Sequence, residues 1–366
     1  MKEEVIQIRQ KINKIDQEMA RLFEQRMEEA KKIALYKIEN ALPIEDKKRE
    51  KELIQQNSLL IKNLEIQAYY LDFLKNMITL SKRYQSKIME GMKIAYCGVE
   101  GAFSYIASKK IFDNQKTISF SSFTLAYQAV ENGECDACIL PLENSYAGDV
   151  GEVMDLLFSG TLYINHILNI DIVHNLIGLK HSSLEKIQTV ASHPQALAQC
   201  KEYIEKHHYK TLEFPNTAIA AKKLSEMNDE SIAVIASKDV VPLYDLKLLK
   251  SNINSNKSNT TRFAVFSKVL NELHFDVKMG EHFILVFTVL NEAGALAKTL
   301  NIIGAHGFNM RTLRSRPMKE LLWNYYFFVE LDGNIYSQDG QDMIKELKSV
   351  CDCLKIVGTY YSHIER

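Results

Sequence analysis

The sequence predicts a multidomain protein with an all-α segment, then an α/β section long enough for two lobes with a cleft between them, then a compact α+β module. Three observations carry this. Residues 1–90 contain no glycine and only one proline, Pro43, so nothing interrupts long helices. From Met92 onward, apolar strand-like runs alternate with helical segments, the pattern of α/β folds. The last stretch reads strand, helix, strand, strand, helix, strand, which is the ferredoxin-like βαββαβ order. The expected boundaries are 1–90, 92–269 and 281–366.

In the first segment Val5, Ile8, Ile12, Ile15, Met19, Leu22 and Phe23 recur at three- and four-residue steps and mark one apolar stripe. The helical pattern runs to about Tyr36, pauses at Asn40 to Pro43, resumes through Leu53, and returns from about Glu65 to Ile88. Two long helices and a short one share little core within one chain. A second copy would bury the stripe, so a homodimer or larger homo-oligomer is expected.

The middle section opens with KIAYCGVEGAFSYIA, an apolar run, a glycine turn and a helix start. It continues as TISF then FTLAYQAV, ACILPL then GEVMDLLF, and IQTVAS then PQALAQCKEYI. TLEF then IAAKKLSEM, and SIAVIAS then DVVPLY, complete the series. The C-terminal module comprises HFILVFTVL, AGALAKTLNIIGAHG, FNMRTLRSRP, LLWNYYFFVEL, DMIKELKSV and LKIVGTYYS.

Composition excludes several classes. At 366 residues, with 46% hydrophobic and 25% charged residues, the chain is ordinary for globular domains. A net charge of −1 supplies no bulk field for nucleic acid or an anionic membrane, so an anionic ligand needs locally placed cations. The opening MKEEVIQIRQKINKID carries charges throughout and no apolar core run, and no stretch approaches a membrane span; a cytoplasmic location is expected. Cys135 and Cys138 form a CxxC without a second pair or a histidine cluster; these two, like Cys351 and Cys353, are read as packing residues.

Spacing singles out several polar residues. Arg26 and Lys37, eleven apart, return to nearly the same helix face, whereas Arg9 lies about a quarter turn away. Asp46, Arg49 and Glu50 share a face of the second helix, as do Ser81 and Gln85 on the third. In the α/β section, polar clusters follow apolar strands: Glu143-Asn144-Ser145, then Ser192 with Gln199, then Thr217, then Thr260-Thr261-Arg262. Ligands of open α/β folds collect at such ends. Turn-forming and helix-capping roles could explain the same residues individually, Ser192 and Thr217 being able to act as N-caps, but four polar clusters at strand ends are more than capping requires.

The pattern IRQKINKID, EQR, Lys37, DKKRE and SKRYQ resembles the all-helical chorismate mutase domain. That resemblance implies an intertwined dimer whose sites span two chains. It places Arg26, Lys37, Asp46, Arg49, Glu50, Ser81 and Gln85 at one site and makes Arg9 the arginine supplied from the second subunit. The reaction is a pericyclic rearrangement of a dianion, catalysed by orientation and by donors at the breaking ether oxygen. Lys37 and Gln85 are expected at that oxygen, and Arg9, Arg26 and Arg49 at the carboxylates.

GVEGAFSY, PLENS, SHPQ followed by QC, and NTTRF resemble prephenate dehydratase. The family implies a two-lobed fold like periplasmic binding proteins and a catalytic threonine at Thr261. Cleft-lining positions fall on Glu143, Asn144, Ser145, Ser192, Gln199 and Thr217, with Arg262 as a partner of the anionic substrate or of the structure. Hydroxide is a poor leaving group, so a strong hydrogen bond from Thr261 and a proton held by Glu143 are expected to assist it. Neither reaction requires a cofactor or a metal.

The C-terminal module resembles an ACT domain, which implies phenylalanine as an effector at Gly294, Ala295, Leu296, Asn309, Arg314, Ser315 and Arg316. Arg314 stands where the family's Glu-Ser-Arg-Pro segment has an acid, so an effector ammonium would meet a cation. The sequence therefore predicts a bifunctional enzyme passing chorismate through prephenate to phenylpyruvate. The rival readings are a non-enzymatic amino-acid sensor and an enzyme with one live activity.

Overall fold

The computed structural model describes residues 2–40, 42–256, 258–270, 280–318 and 324–362. The Leu321-Leu322-Trp323 start of one expected strand lies outside them. The chain divides into two compact units, Met1–Met92 and Lys93–Arg366.

The first unit is α1 (Lys2–Glu39), α2 (Lys47–Ser58) and α3 (Leu64–Glu90). Asp46 caps α2 by accepting from the Arg49 N–H at 2.9 Å, Asn63 caps α3, and Gly91 ends α3 at φ 78°, where only glycine sits without strain. Ala30 and Ala34 are the buried hydrophobics of α1; their small side chains let it approach Leu74 and Ile78 of α3. The predicted stripe from Val5 to Phe23 stays outside this core, with exposures from 42% at Phe23 to 59% at Ile15.

The second unit begins with β1 (Lys93–Cys97), α4 (Phe103–Ile111), β2 (Lys116–Phe120), α5 (Phe123–Glu131) and β3 (Ala137–Asn144). Next come β4 (Gly148–Asp149), α6 (Gly151–Ser159) and the long β5 (Tyr163–Asp171). A second lobe follows: β6 (Asn175–Gly178), β7 (Thr189–Ser192), α7 (Pro194–Gln199), α8 (Lys201–Lys206), β8 (Lys210–Glu213), α9 (Thr217–Met227), β9 (Ile232–Ala236), α10 (Val240–Leu243) and β10 (Lys247–Lys250). The chain returns to the first lobe as β11 (Thr260–Ser267). It then forms β12 (Gly280–Thr288), α11 (Ala295–Ala305), β13 (Asn309–Pro317), β14 (Tyr325–Asp332), α12 (Gln338–Leu347) and β15 (Cys353–Ser362), which is the expected βαββαβ order.

The two lobes have separate sheets, the second ordered β10-β6-β9-β7-β8. They are joined by two crossing segments, 172–174 and 251–259, which are laced together. Ile172 N–H donates to the Asn259 carbonyl at 2.7 Å, His174 N–H to Asn254 Oδ1 at 2.7 Å, and Ile253 N–H to the His174 carbonyl at 2.9 Å. The sequence pattern of strict strand–helix alternation missed β5, β6 and β10. These strands run antiparallel to β11, to β9 and to β6 respectively, where no crossover helix is needed to announce them.

The first-lobe sheet continues into the C-terminal module, in the order β13-β14-β12-β15-β5-β11-β3-β1-β2. The β15–β5 junction is a single parallel pairing of Gly358 with Ile164. One face of the module's sheet packs under α11 and α12; the other, with Tyr326 and Phe328, joins the core of the first lobe, where Phe158 stacks on Tyr326 at 4.6 Å. A Cβ on Gly358 would fall 2.5 Å from the Ile164 carbonyl oxygen. Gly358→Ala is therefore expected to destabilise the second unit by about 1–3 kcal/mol, read as a lowered midpoint in denaturant unfolding; an unchanged midpoint would show that the junction yields freely. Among the described residues no helix is long and apolar enough to cross a membrane.

Candidate functional site

In the helical unit, α1 and α3 bring several of the predicted polar residues together. Lys37 Nζ donates to Gln85 Oε1 at 3.2 Å and to the Ile44 carbonyl at 2.6 Å, and Arg26 donates to the Ser81 hydroxyl. Ser81 and Gln85 are buried although polar, so each has its partner. Partial burial lowers the Arg26 pKa, but a guanidinium starts high enough to remain cationic. Lys82, not among the predicted residues, pairs with Glu50 at 3.1 Å. Asp46 is committed to its cap, and Arg49 reaches Glu52 at 3.9 Å. Among the described residues Arg9 makes no hydrogen bond or ion pair and is exposed. An open groove of about 540 Å³ lies along α1 and α3, lined by Met19, Phe23, Arg26, Phe73 and Met77.

In the α/β unit the polar clusters of β3 and β11 meet. The two strands pair antiparallel, with Thr261 opposite Asn144 and Arg262 opposite Glu143. Asn144 Oδ1 accepts from the N–H groups of Tyr146 and Ala147 at 3.0 and 2.9 Å, which fixes the amide's orientation. Its Nδ2 must then donate, to Thr261 Oγ1 and to Asn259 Oδ1, both at 2.8 Å. Thr261 therefore accepts one hydrogen bond and keeps its own proton for a further acceptor, and accepting makes a hydroxyl a better donor.

Asn259 also lines a cavity of about 250 Å³, together with Tyr146, Gln199, Asn254 and neighbours. Gln199 is held by His174 Nε2 at 2.8 Å. His174 is 2% exposed, and burial lowers its pKa, with the Gln199 hydrogen bond opposing. His174 Nδ1 and Asn259 Nδ2 are buried without a hydrogen-bond partner among the described residues. Sequence reasoning missed both residues. The available signals were a histidine inside the apolar run DIVHNLIG and the asparagine just before the Thr-Thr-Arg.

Four predicted roles change. Side chains alternate across a strand, so Glu143 and Arg262 point to the opposite face from Asn144 and Thr261. There Arg262 Nη1 meets Glu143 Oε1 at 2.6 Å, and Arg314 also binds Glu143. Glu143 is thus bound by two guanidiniums on the face of its strand opposite Asn144, and Arg262 shares that face rather than the one carrying Thr261. Ser192 and Thr217 are not N-caps: His193 Nδ1 and Asn216 Oδ1, one residue earlier in the second case and one later in the first, accept the capping N–H groups. The Ser192 hydroxyl instead donates to the Ile235 carbonyl at 2.6 Å. Ser145 donates to the Ser258 carbonyl at 3.0 Å and accepts from Thr260 N–H at 3.0 Å. Gly98 and Gly101 take φ of 102° and 85°, so the predicted glycine turn is real, and a Cβ on Gly101 would fall 2.8 Å from Val240 of the second lobe.

In the C-terminal module, Arg314 pairs with Asp149 at 2.5 Å as well as with Glu143, and Arg316 with Asp155 at 3.4 Å. The reversed charge at Arg314 is thus neutralised by two carboxylates of the first lobe. Gly294 is the N-cap of α11 at φ 84°, Ala295 and Leu296 open that helix, Asn309 donates to Asp332 Oδ2 at 2.8 Å, and Ser315 is exposed.

A helical unit with an Arg–Lys–Gln cluster, followed by a two-lobed α/β unit with a hydrogen-bonded asparagine–threonine pair, defines a two-site enzyme. Residues 8–86 match the family model of chorismate mutase type II, and residues 94–270 that of prephenate dehydratase. The bifunctional chorismate mutase/prephenate dehydratase of Buchnera aphidicola subsp. Acyrthosiphon pisum is 32% identical over 97% of this chain and 95% of its own. The chain belongs to the family of bifunctional chorismate mutase/prephenate dehydratases. Among solved structures, a protein described as a novel type of quorum quenching acylase superposes at a TM-score of 0.68, with 27% identity over 74% of this chain and 98% of its own. A prephenate dehydratase from Arthrobacter aurescens in complex with L-Phe superposes at 0.68, with 23% identity over 75% of this chain and 91% of its own.

Proposed function

We propose that the chain converts chorismate to prephenate in its helical unit and prephenate to phenylpyruvate in its two-lobed unit, each through the clusters described above. The observation that carries the second step is the Asn144–Thr261 hydrogen bond, whose direction is set by two backbone N–H groups. Prephenate loses CO2 from its ring carboxylate and the ring hydroxyl from the opposite carbon, and the electrons released by C–C cleavage aromatise the ring. The Thr261 proton, aimed at the departing oxygen, stabilises developing hydroxide, and Asn144 holds that hydroxyl in place. Gln199, Asn259 and His174 line or support the cavity that would hold the substrate, Ser145 and Ser192 tie neighbouring loops and strands, and Thr217 opens the helix that Asn216 caps.

In the helical unit, Lys37 and Gln85 donate to the ether oxygen that gains charge as the C–O bond breaks. Arg26 and Arg49 hold carboxylates, Ser81 accepts from Arg26, Asp46 caps the second helix, and Glu50 pairs with Lys82 on the third. Arg9, exposed and without a hydrogen bond or ion pair among the described residues, completes the site of a second copy whose α1 covers the apolar stripe. The three-domain division at 1–90, 92–269 and 281–366 follows the same roles. Supplying chorismate to the full chain and following prephenate and phenylpyruvate separately tests both activities; formation of neither would overturn the reading.

The C-terminal module acts as an ACT domain that takes phenylalanine near Gly294, Ala295, Leu296, Asn309 and Ser315. The βαββαβ order and the left-handed Gly294 that opens α11 support this, as does the L-Phe bound by the Arthrobacter enzyme of the same fold. Arg314 and Arg316, paired toward the first lobe, are placed to join the module to it rather than to meet the effector. Phenylalanine at millimolar concentration is expected to lower the dehydratase rate; an unchanged rate would refute inhibition.

A further inference from the structure

We propose that Glu330, a buried acid of the C-terminal module, is a positioning residue for the dehydratase step, acting through Arg262 on Thr261. The inference rests on the assignment of prephenate dehydration to Thr261. Glu330 lies on β14 with 0% exposure, on the same face as Tyr326 and Phe328, where the module packs against the first lobe. Both its oxygens accept from the Arg262 guanidinium at 2.9 Å. Tyr360 Oη accepts from Arg262 at 3.0 Å and donates to Glu330.

The register makes this clamp relevant to the reaction. Arg262 and Glu143, joined at 2.6 Å on the module side, are cross-strand neighbours immediately next to Thr261 and Asn144, joined at 2.8 Å on the other side. Each member of the reacting pair is therefore one peptide unit from a clamped side chain. β3 also carries one extra residue, Leu142, between the pairings Arg262–Glu143 and Phe263–Pro141. Such a bulge loosens the ladder beside the pair and leaves side-chain contacts to fix its aim. A buried ion pair adds little net stability compared with apolar packing, but it holds direction. Burial alone would lower the Arg262 pKa, yet Glu330 raises it above its ordinary value, so the guanidinium stays charged and held.

The test compares the full chain with Glu330→Gln, which keeps shape and removes charge, and Glu330→Asp, which restores it. With prephenate, Glu330→Gln is expected to lower kcat about tenfold with KM within about twofold, and Glu330→Asp to recover most of the rate. Chorismate turnover, in the other unit, is expected to stay at the wild-type value. A Glu330→Gln kcat within twofold of wild type, or a raised KM at unchanged kcat, would overturn the proposal. Should Glu330→Gln not fold, Tyr360→Phe removes one hydroxyl of the clamp and is expected to lower kcat about threefold; a wild-type kcat there overturns it equally. Absence of phenylpyruvate formation by the wild-type chain would sink the assignment of the reaction itself, a different outcome from equal rates in wild type and variant.

Discussion

Thr261→Ala is expected to lower the conversion of prephenate to phenylpyruvate by about 10²–10³-fold, the usual cost of removing one aimed donor, while chorismate turnover is unchanged. Removing the hydroxyl takes away the donor proposed for the leaving oxygen and leaves one Asn144 N–H without that acceptor. The second effect is small for folding, because Asn144 Nδ2 keeps Asn259 Oδ1 at 2.8 Å and the Thr260 carbonyl at 3.2 Å as alternatives. The stability loss should therefore be about 1 kcal/mol, too little to explain a collapse in rate. Thr261→Ser keeps the hydroxyl and should retain a measurable fraction of the activity. Steady-state assay of phenylpyruvate formation decides the matter: an alanine variant within tenfold of wild type would move the proton donor elsewhere, with His174 the next group to examine.

Lys37→Ala is expected to reduce chorismate turnover by about 10²–10³-fold and to leave dehydration of supplied prephenate intact. Lys37 ends α1, and its ammonium bridges Gln85 of α3 and the Ile44 carbonyl before α2, so one charge organises the polar end of all three helices. Without it the proposed site would lose its cationic donor to the ether oxygen, and Gln85 would lose the contact that orients its amide. Lys37→Arg tests geometry against charge, because a planar fork cannot take the place of a compact ammonium at both partners. Chorismate consumption and phenylpyruvate formation measured on the same preparation separate the two sites, and a joint loss of both would show that the variant has lost its fold rather than one activity.

Much of the architecture was legible in the sequence because it rests on local rules. The missing glycines of residues 1–90, the pause at Pro43 and the apolar steps of α1 were enough for three helices, and the closing βαββαβ order was readable from alternating periods. The glycine turn at Gly98 and Gly101 was legible because only glycine adopts those φ values without strain. The strands β5, β6 and β10 were not, because antiparallel pairing leaves no crossover helix as a marker. The caps at His193 and Asn216 were displaced by one position from the expected Ser192 and Thr217, since several adjacent side chains can each satisfy a helix N-terminus.

At the sites, residue types were readable but facing was not. Polar clusters after apolar strands pointed to Asn144 and Thr261, and helical spacing pointed to Arg26, Lys37, Ser81 and Gln85. What PLENS and NTTRF could not disclose was that Glu143 and Arg262 turn away from the hydroxyl toward Arg314 and Glu330 of the C-terminal module. Strand period assigns alternate residues to two faces, but only the packing of Glu330, Arg314 and Tyr360 against one face says which of them is the back. The sequence by itself determined the helices, the strand–turn signals and the chemistry of the available groups, because these depend on neighbours in the chain. The tertiary structure alone decided which groups meet, because hydrogen bonds and ion pairs between residues as distant as Asn144 and Thr261, or Arg262 and Glu330, are properties of strand register and sheet packing.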